Sequence, residues 1–330
     1  VCYGRGGTQP TVTDADLVLG YLDPNYFLGG QLTIDLAAAR QAIQTQIATP
    51  LGLSLEEAAW GIHQIVNESM ANAARIHTLE RGKDPHRFPV FAFGGAGPVH
   101  GFRVAQALGS PALIVPLGAG VMSAVGFLTA PLAFDFVRSW PSHLQDVDWQ
   151  KANTLLSEME AEGQALLEGS GLAPENIQYR READIRYVGQ GHEIRVPLPL
   201  GRLDNNSAQM ITTAFEEVYQ RLYERLSLAV PLEIINWRVT ASGPKPEIRL
   251  RMPDASQKTL QEAKKGSRPV YFPGRYRDVA VYDRYLLAPG AGFAGPAIVE
   301  ERESTVIVGQ DCYCSIDEQW NLIVDLLTTV

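Results

Sequence analysis

A glycine-rich turn constrains this chain more than any other feature. The segment Phe93-Gly-Gly-Ala-Gly-Pro-Val-His100 follows an apolar stretch, residues 87–93, and apolar residues then recur at helical spacing up to Leu108. This order predicts a buried strand, a tight turn and a helix. Backbone N–H groups and the positive end of the helix dipole would meet at the turn, which suits a phosphate or a nucleotide. The spacing matches neither G-x-G-x-x-G nor a P-loop, so a turn without a ligand is an equally good reading of these residues alone.

Composition narrows the class of protein. The chain has 330 residues, of which 45% are hydrophobic and 20% charged, as is typical of a globular protein of roughly two domains. A net charge of −9 argues against a nucleic-acid partner and against an anionic membrane surface. Three cysteines form no disulfide framework, and no apolar run approaches the ~18 residues of a membrane span. We therefore expect a cytoplasmic protein.

The order of the predicted elements divides the chain into three parts. Alternating strands and helices in residues 1–130 predict an α/β domain, in which Ser54 and Glu57 form a capping box for a long helix. Residues 131–245 predict an α+β region with a helix over 148–169 and a hairpin over 178–198. Residues 246–330 predict short strands separated by Pro/Gly turns, and hence a β-rich domain. The apolar stripe predicted for the long helix comprises Ala58, Ile62, Ile65, Val66, Met70, Ala73 and Ile76.

Two groups of polar residues can be read in two ways. His100, just after the glycine turn, is able either to donate to a bound ligand or to bond the backbone at the start of a helix. Asp14 and Asp16 are two residues apart, so they could share one metal ion. Helix starts also favour aspartate for capping and for the dipole, and this second reading is the better supported one.

Other polar residues predict structural positions. Glu300 and Glu301 follow a short apolar strand and predict its solvated end. His63 and His77 share the long helix but lie fourteen residues apart, too far to meet on one ligand, and predict core or surface histidines.

Three segments in order carry a resemblance to a known family. They are Cys2-Tyr-Gly-Arg-Gly-Gly-Thr-Gln-Pro-Thr-Val-Thr-Asp14, the glycine turn from Phe93 to His100, and Gly295-Pro-Ala-Ile-Val-Glu-Glu301. Together they resemble the C-terminal half of the hydantoinase A/5-oxoprolinase family, which includes N-methylhydantoinase A-like proteins and related subunits of acetone and acetophenone carboxylases.

The resemblance implies a fold and a cofactor. The family belongs to the actin, sugar kinase and chaperone ATPase superfamily, which implies a ribonuclease-H-like α/β lobe in residues 1–130 that binds ATP in a cleft. The glycine turn resembles the motif on the adenosine side of that cleft. The residues carried over to nucleotide contact are Gly94, Gly95, Ala96 and Gly97, with His100, and with Asn67 and Met70 near the adenine.

The resemblance also implies a reaction and partners. The parent reaction is ATP-dependent hydrolysis of a cyclic amide such as a hydantoin, an oxoproline or another lactam, completed by a hydantoinase B-type subunit. The family's two phosphate-binding motifs, Asp-x-Gly-Gly-Thr, do not occur in this sequence. We therefore expect a fragment that lacks the groups for Mg²⁺ and the β/γ-phosphates, is inactive alone, and forms oligomers. The alternative is a subunit-assembly module, or a ketone-carboxylase-type subunit, that binds no nucleotide unaided.

Overall fold

A computed structural model describes residues 1–224, 230–247 and 258–326 of the chain. The chain forms two compact units. The first combines residues 1–126 with 250–330, and the second comprises residues 127–249.

The helices of the described residues include those predicted over 54–81, 98–108 and 148–169. They are α1 (Val12–Val18), α2 (Leu36–Ile43), α3 (Thr49–Leu51), α4 (Leu55–Glu80), α5 (Gly97–Leu108), α6 (Met122–Thr129), α7 (Trp149–Gly169), α8 (Ser207–Tyr223) and α9 (Leu260–Ala263). The strands are β1 (Val90–Phe91), β2 (Ala112–Val115), β3 (Ala133–His143), β4 (Gln178–Tyr187), β5 (Ile194–Leu198), β6 (Leu232–Ser242), β7 (Lys264–Phe272), β8 (Arg275–Asp283), β9 (Gly292–Ala294), β10 (Ala297–Glu300), β11 (Thr305–Val308), β12 (Tyr313–Ile316) and β13 (Leu322–Asp325).

A five-stranded sheet joins both ends of the chain in the first unit. Its order is β1-β2-β13-β12-β9, with β1 parallel to β2 and β13 antiparallel to β2. Leu113 and Val115 of β2 share a buried core with Leu322 and Val324 of β13. The predicted division placed residues 246–330 in a domain of their own. In the structure, β9, β12 and β13 of this segment form one sheet with β1 and β2, because the backbone N–H and C=O groups along the edge of β2 need hydrogen-bond partners.

A second sheet of the first unit carries the N-terminal helices. Its order is β11-β10-β8-β7, in which β10 is parallel to β8 and antiparallel to β11. Apolar residues of α1, α2 and α4 form one core with this sheet, among them Leu17, Ile43 and Ile298.

The second unit is an antiparallel sheet with two helices. Its strand order is β3-β6-β4-β5, and the predicted hairpin is the β4–β5 pair. Leu156 of α7 and Phe215 of α8 are fully buried in the core of this unit, together with Trp237 of β6. The predicted α/β fold class is confirmed, with several sheets in the described residues. No described helix is long and apolar enough to cross a membrane.

Helix α4 begins at the predicted capping box but buries a different face. Ser54 Oγ accepts from the Glu57 N–H, and the Glu57 carboxylate accepts from the Ser54 N–H. The buried positions of α4 are Ala58, Ala59, His63, Asn67 and Ala71, whereas Ile65, Met70 and Ile76 are exposed. The predicted apolar stripe is therefore wrong, because small and polar residues allow α1 and α5 to approach closely.

The carboxylate of Asp14 accepts hydrogen bonds at the start of α1, as the capping interpretation predicts. Its carboxylate accepts from the N–H groups of Cys2 and Thr11 and from the Thr11 hydroxyl at 2.7–2.8 Å. Burial by itself raises the pKa of Asp14, but these hydrogen bonds outweigh burial and hold the pKa below its ordinary value of 3.8. The ionised form is therefore favoured in the folded state.

We expect Asp14→Asn to lower the free energy of unfolding by about 1–2 kcal/mol at pH 7, since charge-assisted hydrogen bonds are lost. The pKa of Asp14 is lower in the folded state than in the unfolded state. Its contribution is therefore present above pH 4 and is lost as the pH falls through the folded-state pKa. Urea unfolding of both proteins between pH 7 and pH 3 measures this, and a difference that grows on acidification would contradict it.

Candidate functional site

The glycine turn presents open backbone at the start of α5. Gly94 has φ +88°, a left-handed conformation that disfavours any side chain. The residue before α5 is Ala96, which has no side-chain group to cap the helix. A Cβ added at Gly97 would meet no atom within 4 Å. The start of α5 therefore has room for a hydrogen-bond acceptor of a ligand.

A cavity of about 230 Å³ adjoins this turn. Gly95 and Ala96 line it on one side, and Leu22, Tyr26 and Phe27 line it from the segment after α1. Ring faces and backbone N–H groups around one small cavity suit a planar heterocycle, since the rings offer stacking surfaces and the backbone offers hydrogen bonds.

The charges around the cavity favour a neutral occupant. Asp16, Glu301 and Glu303 contribute carboxylates to its lining, against the single guanidinium of Arg302. This excess of negative charge repels a triphosphate from the interior. Carboxylate oxygens do accept hydrogen bonds, so an uncharged ring that carries an amine or amide N–H fits the lining.

Glu301 is held in the cavity wall by a buried cation. Its carboxylate lies 3.8 Å from the fully buried guanidinium of Arg284, and it accepts from the Gly118 N–H and the Ser304 hydroxyl. Burial raises the pKa of Glu301, and Arg284 and these hydrogen bonds oppose that shift.

Glu300 points away from Glu301 and is also paired. Its carboxylate contacts Lys265 Nζ and Arg268 Nη1, both at 2.5 Å. The predicted solvated strand end at Glu300 and Glu301 is therefore wrong, because both side chains are buried against cations supplied by β7 and by the turn after β8.

A second polar cluster lies where α1, α4 and α5 meet. His63 Nδ1 is 2.7 Å from Asp16 Oδ1, and His100 Nε2 is 3.5 Å from Asp16 Oδ2. The two imidazole rings stack at 4.8 Å, and His100 Nδ1 lies 2.9 Å from Asn67 Oδ1. All four residues are buried. Burial lowers the pKa of His100, with Asp16 opposing and His63 adding to the shift, so the neutral ring is favoured.

Most of the predicted site residues lie in two places, the glycine turn beside the cavity and the buried cluster of Asp16, His63, His100 and Asn67. Gly95 and Ala96 line the cavity, and Gly94 and Gly97 flank them in the turn. His100 and Asn67 contact each other in the buried cluster, so the ring of His100 bonds a side chain and not the backbone. Met70 is 39% exposed on α4.

Sequence reasoning did not find the pairing of Asp16 with His63. The reading of Asp16 as a capping residue is wrong, because its carboxylate contacts two imidazoles instead of helix N–H groups. A signal was available in α4, where Ala59, His63, Asn67 and Ala71 recur every four residues on one face. Two polar residues in such a stripe indicate a partner from another element.

We expect Arg284→Met to lower the free energy of unfolding by about 3–5 kcal/mol at pH 8, because it leaves the Glu301 carboxylate buried and unpaired. The loss should shrink toward pH 5. Glu301 has a raised pKa when folded, and without Arg284 its protonated form dominates over a wider range, so the penalty grows as the pH rises.

Urea unfolding of Arg284→Met, Glu301→Gln and the double variant measures this coupling. The double variant should be more stable than the sum of the two single losses predicts. Strictly additive losses would show that the two charges do not interact.

Comparisons with known proteins show which family the chain resembles. Residues 1–136 match the hydantoinase/oxoprolinase family model, and residues 145–324 match the model of the hydantoinase/oxoprolinase C-terminal domain. The chain is 35% identical over 320 residues to an uncharacterized protein of Methanocaldococcus jannaschii, covering 96% of this chain and 45% of that protein. It is 33% identical over 327 residues to the caprolactamase subunit alpha of Pseudomonas jessenii, covering 96% and 46%.

Two solved structures are similar to the fold. The nucleotide-free structure of acetone carboxylase, an enzyme of ATP-dependent acetone carboxylation, matches with a TM-score of 0.76 at 27% identity. The crystal structure of the ATP-dependent caprolactamase matches with a TM-score of 0.74 at 32% identity. Each comparison covers 98% of this chain and 48% of the solved one, so the chain spans about half the length of the relatives it matches. Both family models and both folds agree on one assignment, and the chain belongs to the hydantoinase/oxoprolinase family.

Proposed function

We propose that this chain supplies the adenosine side of the ATP site in an enzyme that hydrolyses cyclic amides. The observation that carries the proposal is the glycine turn, whose Gly95 and Ala96 line an apolar cavity with an excess of carboxylates. An adenine ring is planar and uncharged, and its amine is a donor that such carboxylates accept. The relatives that are ATP-dependent support the choice of nucleotide.

Each proposed contact has a physical role. Gly95, Ala96 and Gly97 would offer backbone N–H groups to the nucleoside. The Gly94 N–H donates to the Ala119 carbonyl, so Gly94 would contribute only by lacking a side chain that blocks the approach. His100 lies in the first turn of α5. Its contact with Asn67 fixes the position of α5 against α4. Met70 remains a weaker candidate for the adenine pocket, since its side chain is partly exposed on α4.

The complete enzyme would use ATP to activate the amide, because phosphate is a weak base and therefore a good leaving group. The amide oxygen would attack the γ-phosphate of ATP, which releases ADP and gives an imidate phosphate. One water would add to its carbon, and the C–N bond would break to release the amine and leave an acyl phosphate. A second water would cleave the acyl phosphate to a carboxylate and phosphate. Because Asp-x-Gly-Gly-Thr is absent from this sequence, we expect other groups of the complete enzyme to hold Mg²⁺ and the β/γ-phosphates. We therefore expect no turnover by this chain alone.

A role in subunit assembly is the second candidate, and exposed apolar side chains favour it. Ile65 and Leu79 of α4 are 70% and 60% exposed, and Phe91 and Phe93 beside β1 are about half exposed. Apolar residues of this size suit a protein interface. We propose the remaining half of the ATP-binding fold and a hydantoinase B-type subunit as partners, with a ketone-carboxylase-type assembly as the other possible setting.

We expect Gly97→Val to weaken ATP and ADP binding at least tenfold in isothermal titration, equally with and without Mg²⁺. A Cβ at Gly97 meets no protein atom within 4 Å, so the added side chain should obstruct the ligand and not the fold. Gly169→Val is the matched control, since Gly169 ends α7 in the second unit and its Cβ position is equally open.

Three results would bear on this proposal. Weaker binding by Gly97→Val alone would support it. Equal affinity of Gly97→Val and the unsubstituted chain would place the nucleotide elsewhere, and no binding by either would favour the assembly role.

We also expect this chain to associate in solution through its exposed apolar residues. Light scattering at rising concentration should report a mass above that of a single 36.1 kDa chain. The variant Ile65→Lys with Leu79→Lys should shift the mass toward one chain, because two charges then oppose burial. A monomer at high concentration without these substitutions would refute the prediction.

A further inference from the structure

The cluster of Asp16, His63 and His100 has the composition of a metal site. One oxygen or nitrogen atom from each of the three lies within 4.8 Å of the others, and all three side chains are buried. Two imidazoles and one carboxylate are the donors that Zn²⁺, Mn²⁺ and Fe²⁺ use in proteins. The three residues come from α1, α4 and α5, so the helices hold the donors in place before any ion arrives.

Two imidazoles face the carboxylate of Asp16. Among the described residues, no lysine or arginine nitrogen lies within 4.0 Å of its carboxylate, and its partners are His63 and His100. A buried carboxylate is normally paired with a cation or bound to a metal. Glu300 and Glu301 each meet a lysine or arginine side chain, so Asp16 differs from these two buried acids of the same unit.

The hydrogen bonds of His100 leave a lone pair directed at Asp16. Its Nδ1 lies 2.9 Å from Asn67 Oδ1, which fits the tautomer in which Nδ1 carries the proton. In the neutral ring Nε2 then has only a lone pair, and this is the atom that lies 3.5 Å from Asp16 Oδ2. Two electron-rich atoms facing each other repel, whereas a cation between them would bind both.

The contact between Asn67 and His100 is also the arrangement that metal ligands use. A histidine that binds a metal through one nitrogen usually donates its other N–H to an oxygen, which fixes the ring. Donors around one ion lie roughly 2.9–3.4 Å apart at metal–ligand distances near 2.0–2.1 Å. The distances of 2.7 Å and 3.5 Å from Asp16 to His63 and His100 lie near that range, and all three donor atoms lie within 4.8 Å of one another.

We propose that Asp16, His63 and His100 bind one divalent first-row transition metal ion, with Zn²⁺ and Mn²⁺ as candidates. Three protein ligands leave at least one coordination position for water or for another oxygen ligand. Asp16 also lines the cavity beside the glycine turn, so the ion would lie at the wall of that cavity. The site is separate from the Mg²⁺ that accompanies ATP, because Mg²⁺ prefers an all-oxygen shell. The proposal does not depend on nucleotide binding.

Metal titration of the chain after dialysis against a chelator tests the proposal. We expect one equivalent of Zn²⁺ or Mn²⁺ to bind, as measured by calorimetry and by elemental analysis, and Mg²⁺ to bind at least 100-fold more weakly. Co²⁺ should give the visible absorption of a site with nitrogen and oxygen donors. His100→Gln and Asp16→Asn should each weaken binding at least 100-fold, and Asn67→Ala about 10–100-fold through loss of the ring's orientation.

His86→Gln is the matched control. His86 Nδ1 lies 2.7 Å from Asp84 Oδ1, which is the same contact that joins His63 to Asp16, but both residues are exposed. This variant should bind metal like the unsubstituted chain. A loss of binding in His86→Gln, tight Mg²⁺ binding, or less than one tenth of an equivalent of any transition metal would overturn the proposal.

An NMR measurement on the unsubstituted chain tests the proposal without depending on whether any variant folds. Zn²⁺ should shift the imidazole NMR signals of His63 and His100 and leave those of His77 and His86 in place. Unshifted signals of the two buried rings at saturating Zn²⁺ would overturn the proposal whatever the variants do. Calorimetry with ATP on the same sample keeps this result apart from the nucleotide proposal.

Discussion

The antiparallel pairing of β13 with β2 is the contact on which the first unit depends. Val324 pairs with Leu113, more than two hundred residues away in sequence, and this pairing brings the last strands of the chain beside the glycine turn. Two glycines show how close the approach is. A Cβ at Gly309 would overlap the ring of Phe102 on α5, and a Cβ at Gly120 would overlap Glu303. Residues 301–305, which line the cavity together with the glycine turn, belong to the segment that this pairing brings to β2.

Buried charges then set the shape of that cavity. Glu301 is anchored by Arg284, Ser304 and the Gly118 N–H, and its neighbour Glu300 by Lys265 and Arg268. Pairs of this kind add little net stability, because removing charges from water costs about as much as their attraction returns. Their effect here is to fix the turn between β10 and β11, which forms one wall. A carboxylate-lined cavity that repels phosphate and accepts amine donors is the result.

The cavity and the buried cluster meet at one residue. Asp16 lines the cavity and also contacts His63 and His100, so an occupant of the cavity and an ion in the cluster would share a carboxylate. The two proposed sites take their groups from different places. The cavity uses a turn and the start of α5, where backbone groups are unpaired, whereas the cluster uses side chains from within α1, α4 and α5.

The sequence by itself determined the local elements and the family. Helix α7, strand β6 and the β4–β5 hairpin lie where periodicity places them, and the capping residues Ser54 and Asp14 act as predicted. These features depend on neighbours a few residues apart, so their pattern is visible in one dimension.

Only the tertiary structure decided which face of α4 is buried, which partners Asp16 has and why Glu301 lies in a core. Each of these depends on contacts between residues tens to hundreds of positions apart. Helical spacing shows that His63 and Asn67 share a face of α4. It cannot show that α1 and α5 cover that face, because packing follows shape and burial summed over the whole unit and not the order of residues along one helix.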